Sequence, residues 1–186
     1  MFILGISPGQ GLDPGRWRTA LRSGIDAFLV REKQLEARAL LDAVRFCRDT
    51  TPQVELWVAA RLDVALAAGC GLHAPEAYPE VDPALVPLSR PLHDEAQWGD
   101  RRGCHQLLVA PVFDVPGKRG PWGAPRLHRF LDALPPVGPR ILALGGVSVA
   151  NAGSLRHPGL AGVALIRALW EGDPLGTVDT LRETWR

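Results

Sequence analysis

Short apolar runs alternate with amphipathic stretches from one end of the chain to the other: FILGI, IDAFLV, VELWVAA, GCGLHA, LVPLS, HQLLVAPVF, RILALGG and AGVALI. Each run reads as a strand. Their continuous apolar character, in place of in/out alternation, marks strands of a parallel sheet buried on both faces. Between them, LEARALLDAVRFCR (Leu35 to Arg48) places Leu40, Leu41, Val44 and Cys47 on one helical face. RLDVALAAG closes on Gly69, the residue type expected just past a helix C-terminus. Eight strand-then-helix units predict an α/β fold, a compact (β/α)₈ TIM barrel. At 186 residues, against roughly 250 for a typical barrel, several helices and loops must be short. The alternative is a flavodoxin-like open sheet, which requires some of these runs not to be strands. The segment Tyr78 to Pro87, rich in proline and acid, is the weakest helical stretch and reads as a loop with one turn.

Composition narrows the picture further. A chain of 186 residues with 46% hydrophobic content sustains one sizeable core, so residues 1–186 are expected to form a single domain. The formal net charge of +1, with mixed signs, predicts no broad basic face for nucleic acid and no acidic tail. Recognition is then local, at a pocket that takes a small molecule. The three cysteines, Cys47, Cys70 and Cys104, lack metal-type spacing and fall in apolar surroundings, which predicts buried reduced thiols in a cytoplasmic protein. The apolar start MFILGI is too short for a signal sequence, and no stretch approaches a membrane span.

Charge type is more telling than charge balance. The chain has two lysines, Lys33 and Lys118, against nineteen arginines. Lys33 follows the second apolar run, in IDAFLVREK, and Lys118 follows the sixth, in QLLVAPVFDVPGK. Both emerge past the carboxyl end of a strand, where α/β folds build their active sites. A chain that otherwise uses arginine for positive charge is expected to keep lysine where a compact ammonium is needed.

A second cluster lies near the C-terminus. In RILALGGVSVAN a strand runs into Gly145 and Gly146, with Ser148 placed to cap the helix that follows. Paired glycines let backbone N–H groups approach an anion, and a helix N-terminus adds its dipole. One unit later, AGVALIRALW ends its strand near Ile166 and opens with Arg167. Loops after the seventh and eighth strands of such barrels frequently hold phosphate.

Taken in order, FLVREK, AARLDVALAAGCGLHAP, SRPLHDEA, APVFDVPGKRGPWG, LALGGVSVANAG and GVALIRALW resemble segments of the thiamine phosphate synthases and the related thiazole tautomerases. The resemblance implies a (β/α)₈ barrel acting in thiamine synthesis on a thiazole phosphate. It implies that Arg31 and Lys33 face the pyrophosphate of a pyrimidine substrate, and that Lys118 serves the loop of the sixth strand. Ser89 matches a fifth-strand serine, and Gly145, Gly146 and the Ile166 region match a phosphate cradle. A homodimer is compatible with it.

The chain also departs from that pattern. The synthases' Asn-Asp metal pair after the third strand is Ala59 and Ala60 here, and a second aspartate aligns with Tyr78. The serine that opens their eighth helix is Arg167. Glu76 and Asp114 are the nearby acids that would replace the lost magnesium ligands in a synthase. The tautomerases need no metal pair, and Pro75 after His73-Ala74 resembles their version of this strand end. Their acid/base histidine, however, corresponds to Pro111. Of the five histidines, His73 is the one read near the carboxyl end of a strand, and it is the substitute proton carrier in this reading. Trp122 is placed to stack on a bound ring.

These features favour a metal-independent tautomerase with no cofactor. His73 and Lys118 are its catalytic groups, Arg31, Lys33, Ser89 and Trp122 bind substrate, and Gly145, Gly146, Ile166 and Arg167 bind phosphate. The alternatives are a thiamine phosphate synthase with altered Mg²⁺ ligation and a non-catalytic phosphate-binding relative.

Overall fold

In the computed structural model, which describes residues 1–118 and 120–186, eight parallel strands close into a barrel in sequence order. The strands are β1 (Phe2–Ile6), β2 (Ala27–Val30), β3 (Glu55–Ala59), β4 (Gly71–His73), β5 (Leu88–Leu92), β6 (Gln106–Val109), β7 (Arg140–Leu144) and β8 (Gly162–Leu165). The ring closes by pairing of β8 with β1, so the open-sheet alternative is excluded. The helices are α1 (Pro14–Leu21), α2 (Ala37–Thr50), α3 (Leu62–Ala68), α4 (Trp98–Arg101), α5 (Gly123–Asp132), α6 (Arg167–Trp170) and α7 (Pro174–Thr184).

Every strand has two buried faces. Leu4, Ile6, Ala27, Leu29, Trp57, Leu108, Leu142 and Ala164 fill the barrel interior. Alternate strand residues, among them Phe28, Val58, Val109 and Val163, pack outward against helix residues such as Val44, Val64, Leu131 and Leu181. This double burial is why the sequence shows unbroken apolar runs. The helix α2 buries Leu40, Ala43, Val44 and Cys47, close to the predicted face, while Leu41 is only partly covered. Gly69 ends α3 in the left-handed conformation, at φ 58°. Both α1 and α7 start with an aspartate cap, Asp13 or Asp173, followed by proline.

Two departures from expectation matter for the site. The fifth strand begins at Leu88, three residues later than the run LVPLS suggested, and Leu85 is 63% exposed in the turn before it. No helix follows β4: residues 74–87 form turns and loop. In addition, the elements that directly follow β7 and β8 are single turns, a 3-10 turn at Ala152–Leu155 and the four-residue α6, with α7 starting only at Pro174. The expected helix dipole there is therefore slight.

At the amino ends of the strands, polar groups line a pocket of about 530 Å³ that includes Glu55, Trp57, His105 and Arg140. Arg140 donates to both carboxylate oxygens of Glu55 at 3.1 and 2.9 Å, and Trp57 Nε1 donates to Glu55 at 2.9 Å. The guanidinium of Arg140 also lies 4.0 Å from the ring centre of Phe2.

Candidate active site

The carboxyl ends of the strands form the mouth, and the sheet alternation decides which side chains enter it. Arg31 follows Ala27 and Leu29 on the inward side of β2, and Ala59 follows Trp57 on that of β3. Arg31 is held by its backbone, whose N–H donates to the buried Ser7 hydroxyl at 2.7 Å. Its neighbour Glu32, 3% exposed, accepts from the N–H groups of Gly9 and Gly11 at 3.0 and 2.6 Å and from Gln34 at 3.0 Å. A buried carboxylate thus fixes the β1–α1 loop against the end of β2. Lys33 lies exposed beyond it.

His73 ends β4 with Nδ1 3.0 Å from the hydroxyl of Ser89, its register partner on β5. Ser89 is fully buried, so it orients the imidazole from below the mouth. Burial, aided by the positive charges of Arg31, Arg90 and His93, pushes the His73 pKa down to about 4. His73 is therefore neutral at neutral pH, and it is poorly matched to carry a proton there as a general acid.

A second histidine, His93, stands immediately after β5 on the inward alternation of Ser89 and Pro91. Its Nδ1 donates to the carbonyl of Ala110 at 2.6 Å, and its Nε2 faces a carboxylate oxygen of Glu76 at 3.7 Å. The other oxygen of Glu76 accepts from Arg101 and Gln97, each at 2.8 Å. Arg101, 8% exposed, also donates to the Pro91 carbonyl. A fifth strand that ends at Ser89, as LVPLS predicts, leaves His93 beyond the strand end. The structure ties its ring to the carbonyl of Ala110, next in sequence to Pro111, where the resemblance would place the tautomerases' histidine.

The predicted phosphate residues do converge. Gly145, Gly146, Ile166 and Arg167 line one pocket of about 380 Å³ together with Val115, Ser148 and Glu171. Gly145 and Gly146 adopt φ of 96° and 67°, and the loop after β6 lies tightly against them. A Cβ on Gly145 would stand 2.9 Å from Pro111, and one on Gly146 would stand 2.7 Å from Phe113. Close packing by itself therefore requires glycine at both positions. Asn151, not the Ser148 hydroxyl, closes this loop: its Oδ1 accepts from the Ser148 N–H at 2.9 Å, and its amide donates to the Gly146 carbonyl at 2.8 Å. Among the described residues, the N–H groups of Gly146 and Val147 have no protein acceptor, so both remain available to an anion.

Lys118 is exposed on the turn after β6, its N–H donating to the Val115 carbonyl at 3.0 Å. Trp122 does not face the mouth. It is 4% exposed, its Nε1 donates to the His93 carbonyl at 3.2 Å, and Phe130 and the Arg126 guanidinium cover its ring. Its role is to pack α5 against the end of β5.

The strand-end geometry defines an α/β barrel with Arg31 and Lys33 just past β2 and a glycine-lined pocket at the ends of β7 and β8. Residues 8–169 match the family model described as thiamine monophosphate synthase, and the chain belongs to that family. It is 26% identical over 185 residues to the thiamine-phosphate synthase of Syntrophomonas wolfei, covering 90% of this chain and 86% of that one. It is 32% identical over 165 residues to a putative thiamine-phosphate synthase of Geobacter sulfurreducens, covering 81% and 76%. Among solved structures, the thiamine phosphate pyrophosphorylase of Pyrococcus furiosus superposes with a TM-score of 0.84 at 20% identity, covering 99% of this chain and 95% of that one. The protein is thus an enzyme of thiamine biosynthesis with a TIM-barrel fold. No helix among the described residues is long and apolar enough to cross a membrane.

The synthase resemblance implies magnesium, and the donor set does not fit it. Ala59 and Ala60 offer no side-chain oxygen at the end of β3. The Tyr78 hydroxyl is engaged by the N–H of Leu62 at 3.3 Å. Glu76 is committed to Arg101 and Gln97. Asp114 is exposed on the loop after β6, three strands round the barrel from β3. Among the described residues, no three His, Cys, Asp or Glu side chains converge. A hard cation that wants carboxylate oxygens has no matching cluster here.

Proposed function

We propose that the chain joins a pyrimidine diphosphate to a thiazole phosphate, the reaction of a thiamine-phosphate synthase, within a barrel that forms one domain. The observation that carries this reading is the pair of separate anion-ready patches on one rim. The patch at the ends of β7 and β8 comprises Gly145, Gly146, Ile166 and Arg167 and suits a phosphate monoester. Arg31 and Lys33 at the end of β2, with Lys118 across the mouth, suit the diphosphate. Two phosphate-bearing substrates call for two such patches, whereas a tautomerase needs one. The relatives named as thiamine-phosphate synthases support the same choice over the tautomerase reaction that the lost metal ligands favoured. The decisive assay mixes purified protein with hydroxymethylpyrimidine diphosphate and thiazole phosphate and follows thiamine phosphate. Formation above an enzyme-free control is expected. Its absence under both magnesium and chelator removes the reading.

A tautomerase activity remains the second reading, and His93 is what favours it. His73 is held neutral, whereas His93 stands partly exposed between the Ala110 carbonyl and Glu76, with Nε2 directed away from its fixed Nδ1–H. In this reading His93 replaces His73 as the proton carrier. Aromatisation of the carboxylated thiazole phosphate that is lost in His93→Gln and kept in His73→Gln would establish it.

A further inference from the structure

The mismatch between the family's metal and this chain's donors raises the question of what neutralises a departing diphosphate. We propose that it is held by side-chain cations at the ends of β2 and β3, with Arg31 at the centre, in place of a divalent ion. This rests on the coupling reaction proposed above.

The sheet register supplies the geometry. Val30 pairs with Val58, so Arg31 stands level with Ala59 on the adjacent strand. Both Arg31 and Ala59 lie on the inward alternation, and the alanine methyl leaves open the space above the end of β3. Ala60 keeps a left-handed backbone, φ 58°, with its N–H on the His73 carbonyl at 3.0 Å. That conformation is one Asn and Asp accept more readily than alanine. The strand end therefore retains the backbone shape of a ligand-bearing turn without its oxygens.

The Arg31 guanidinium makes no hydrogen bond or ion pair among the described residues, although its backbone is rigidly tied. Its Nη1 lies 4.0 Å from the place a Cβ on Gly9 would occupy, over the β1–α1 loop, and its charge is felt at His73. A partly buried, uncommitted guanidinium carried on a tied backbone is prepared for an anion. Its planar fork meets two phosphate oxygens at once. Lys33 adds a second charge. Arg61, two residues past the end of β3, is paired with Asp63 at 2.5 Å.

Titration calorimetry with inorganic pyrophosphate as the probe tests this directly. Binding is expected in excess chelator, with no strengthening when magnesium replaces it. Arg31→Gln is expected to weaken it by about tenfold or more, and Arg31→Lys by less. Pyrophosphate binding that appears only with magnesium, or that is unchanged in a folded Arg31→Gln, overturns the proposal. Restoring both ligands in Ala59→Asn/Ala60→Asp is expected to make binding magnesium-responsive. The coupling assay in chelator separates the two claims. Coupling that requires magnesium sinks the cation proposal and leaves the synthase reading intact, whereas metal-free pyrophosphate binding without coupling under any condition does the reverse.

Discussion

Trp57 and Gly71 are register partners on β3 and β4, and the indole fills the space that a side chain on Gly71 would need: a Cβ there would lie 2.2 Å from the ring. The two residues form one packing unit in the barrel interior, a large aromatic made possible by an absent side chain. Gly71→Ala is expected to cost about 3 kcal/mol through overpacking, and Trp57→Leu should recover part of that loss in the double variant. Urea unfolding of the four members of the cycle measures the coupling, and additive effects would show that the ring moves aside freely.

Ala60 is the one non-glycine residue with positive φ among those described. Ala60→Gly removes the Cβ clash of the left-handed conformation while giving back some chain entropy. The net expectation is a gain of about 0.5–1 kcal/mol. A raised urea midpoint with an unchanged slope is the signature.

His73 links stability to acidity. Its native pKa of about 4 lies below the ordinary imidazole value of 6.5, so the unfolded chain takes up the proton first as pH falls. The associated stability is fully present above pH 6.5 and is lost between 6.5 and about 4. Its size is on the order of 2–3 kcal/mol. Comparing unfolding of wild type and His73→Gln at pH 7.5 and 4.5 should show a flatter acid limb in the variant.

The three cysteines are free and buried. Burial raises Cys47 to about 12 and Cys70 to about 11, and raises Cys104 as well. Thiolate is scarce at all three, so a thiol reagent at pH 8 should label the native protein at least about 100-fold more slowly than the unfolded chain. Rapid labelling of one equivalent would identify a thiol that opens to solvent.

The strands were readable because double burial writes unbroken apolar runs into the sequence, and the closed ring follows from eight of them. The fifth was misplaced because Arg90 interrupts its apolar run, so LVPLS looked complete at Ser89. That three-residue offset hid His93. Counting in twos from Ser89 through Pro91 places His93 inward at the strand end, a signal available once Leu92 is included in the strand. The glycines of the seventh loop were visible, but their packing against Pro111 and Phe113 was not, since that contact joins segments over thirty residues apart. Trp122 illustrates the opposite error: a tryptophan in a loop near the mouth is covered by Phe130 and Arg126, residues one helical turn or two further along α5.

The filled interior, with Trp57 packed above the pair of Glu55 and Arg140, has a kinetic consequence. Reactants and products share a single doorway, so whichever molecule sits deeper must arrive first and depart last. For the coupling reaction proposed above, turnover is then expected to be sequential and ordered, with a product that lingers near the rim trapping the one beneath it.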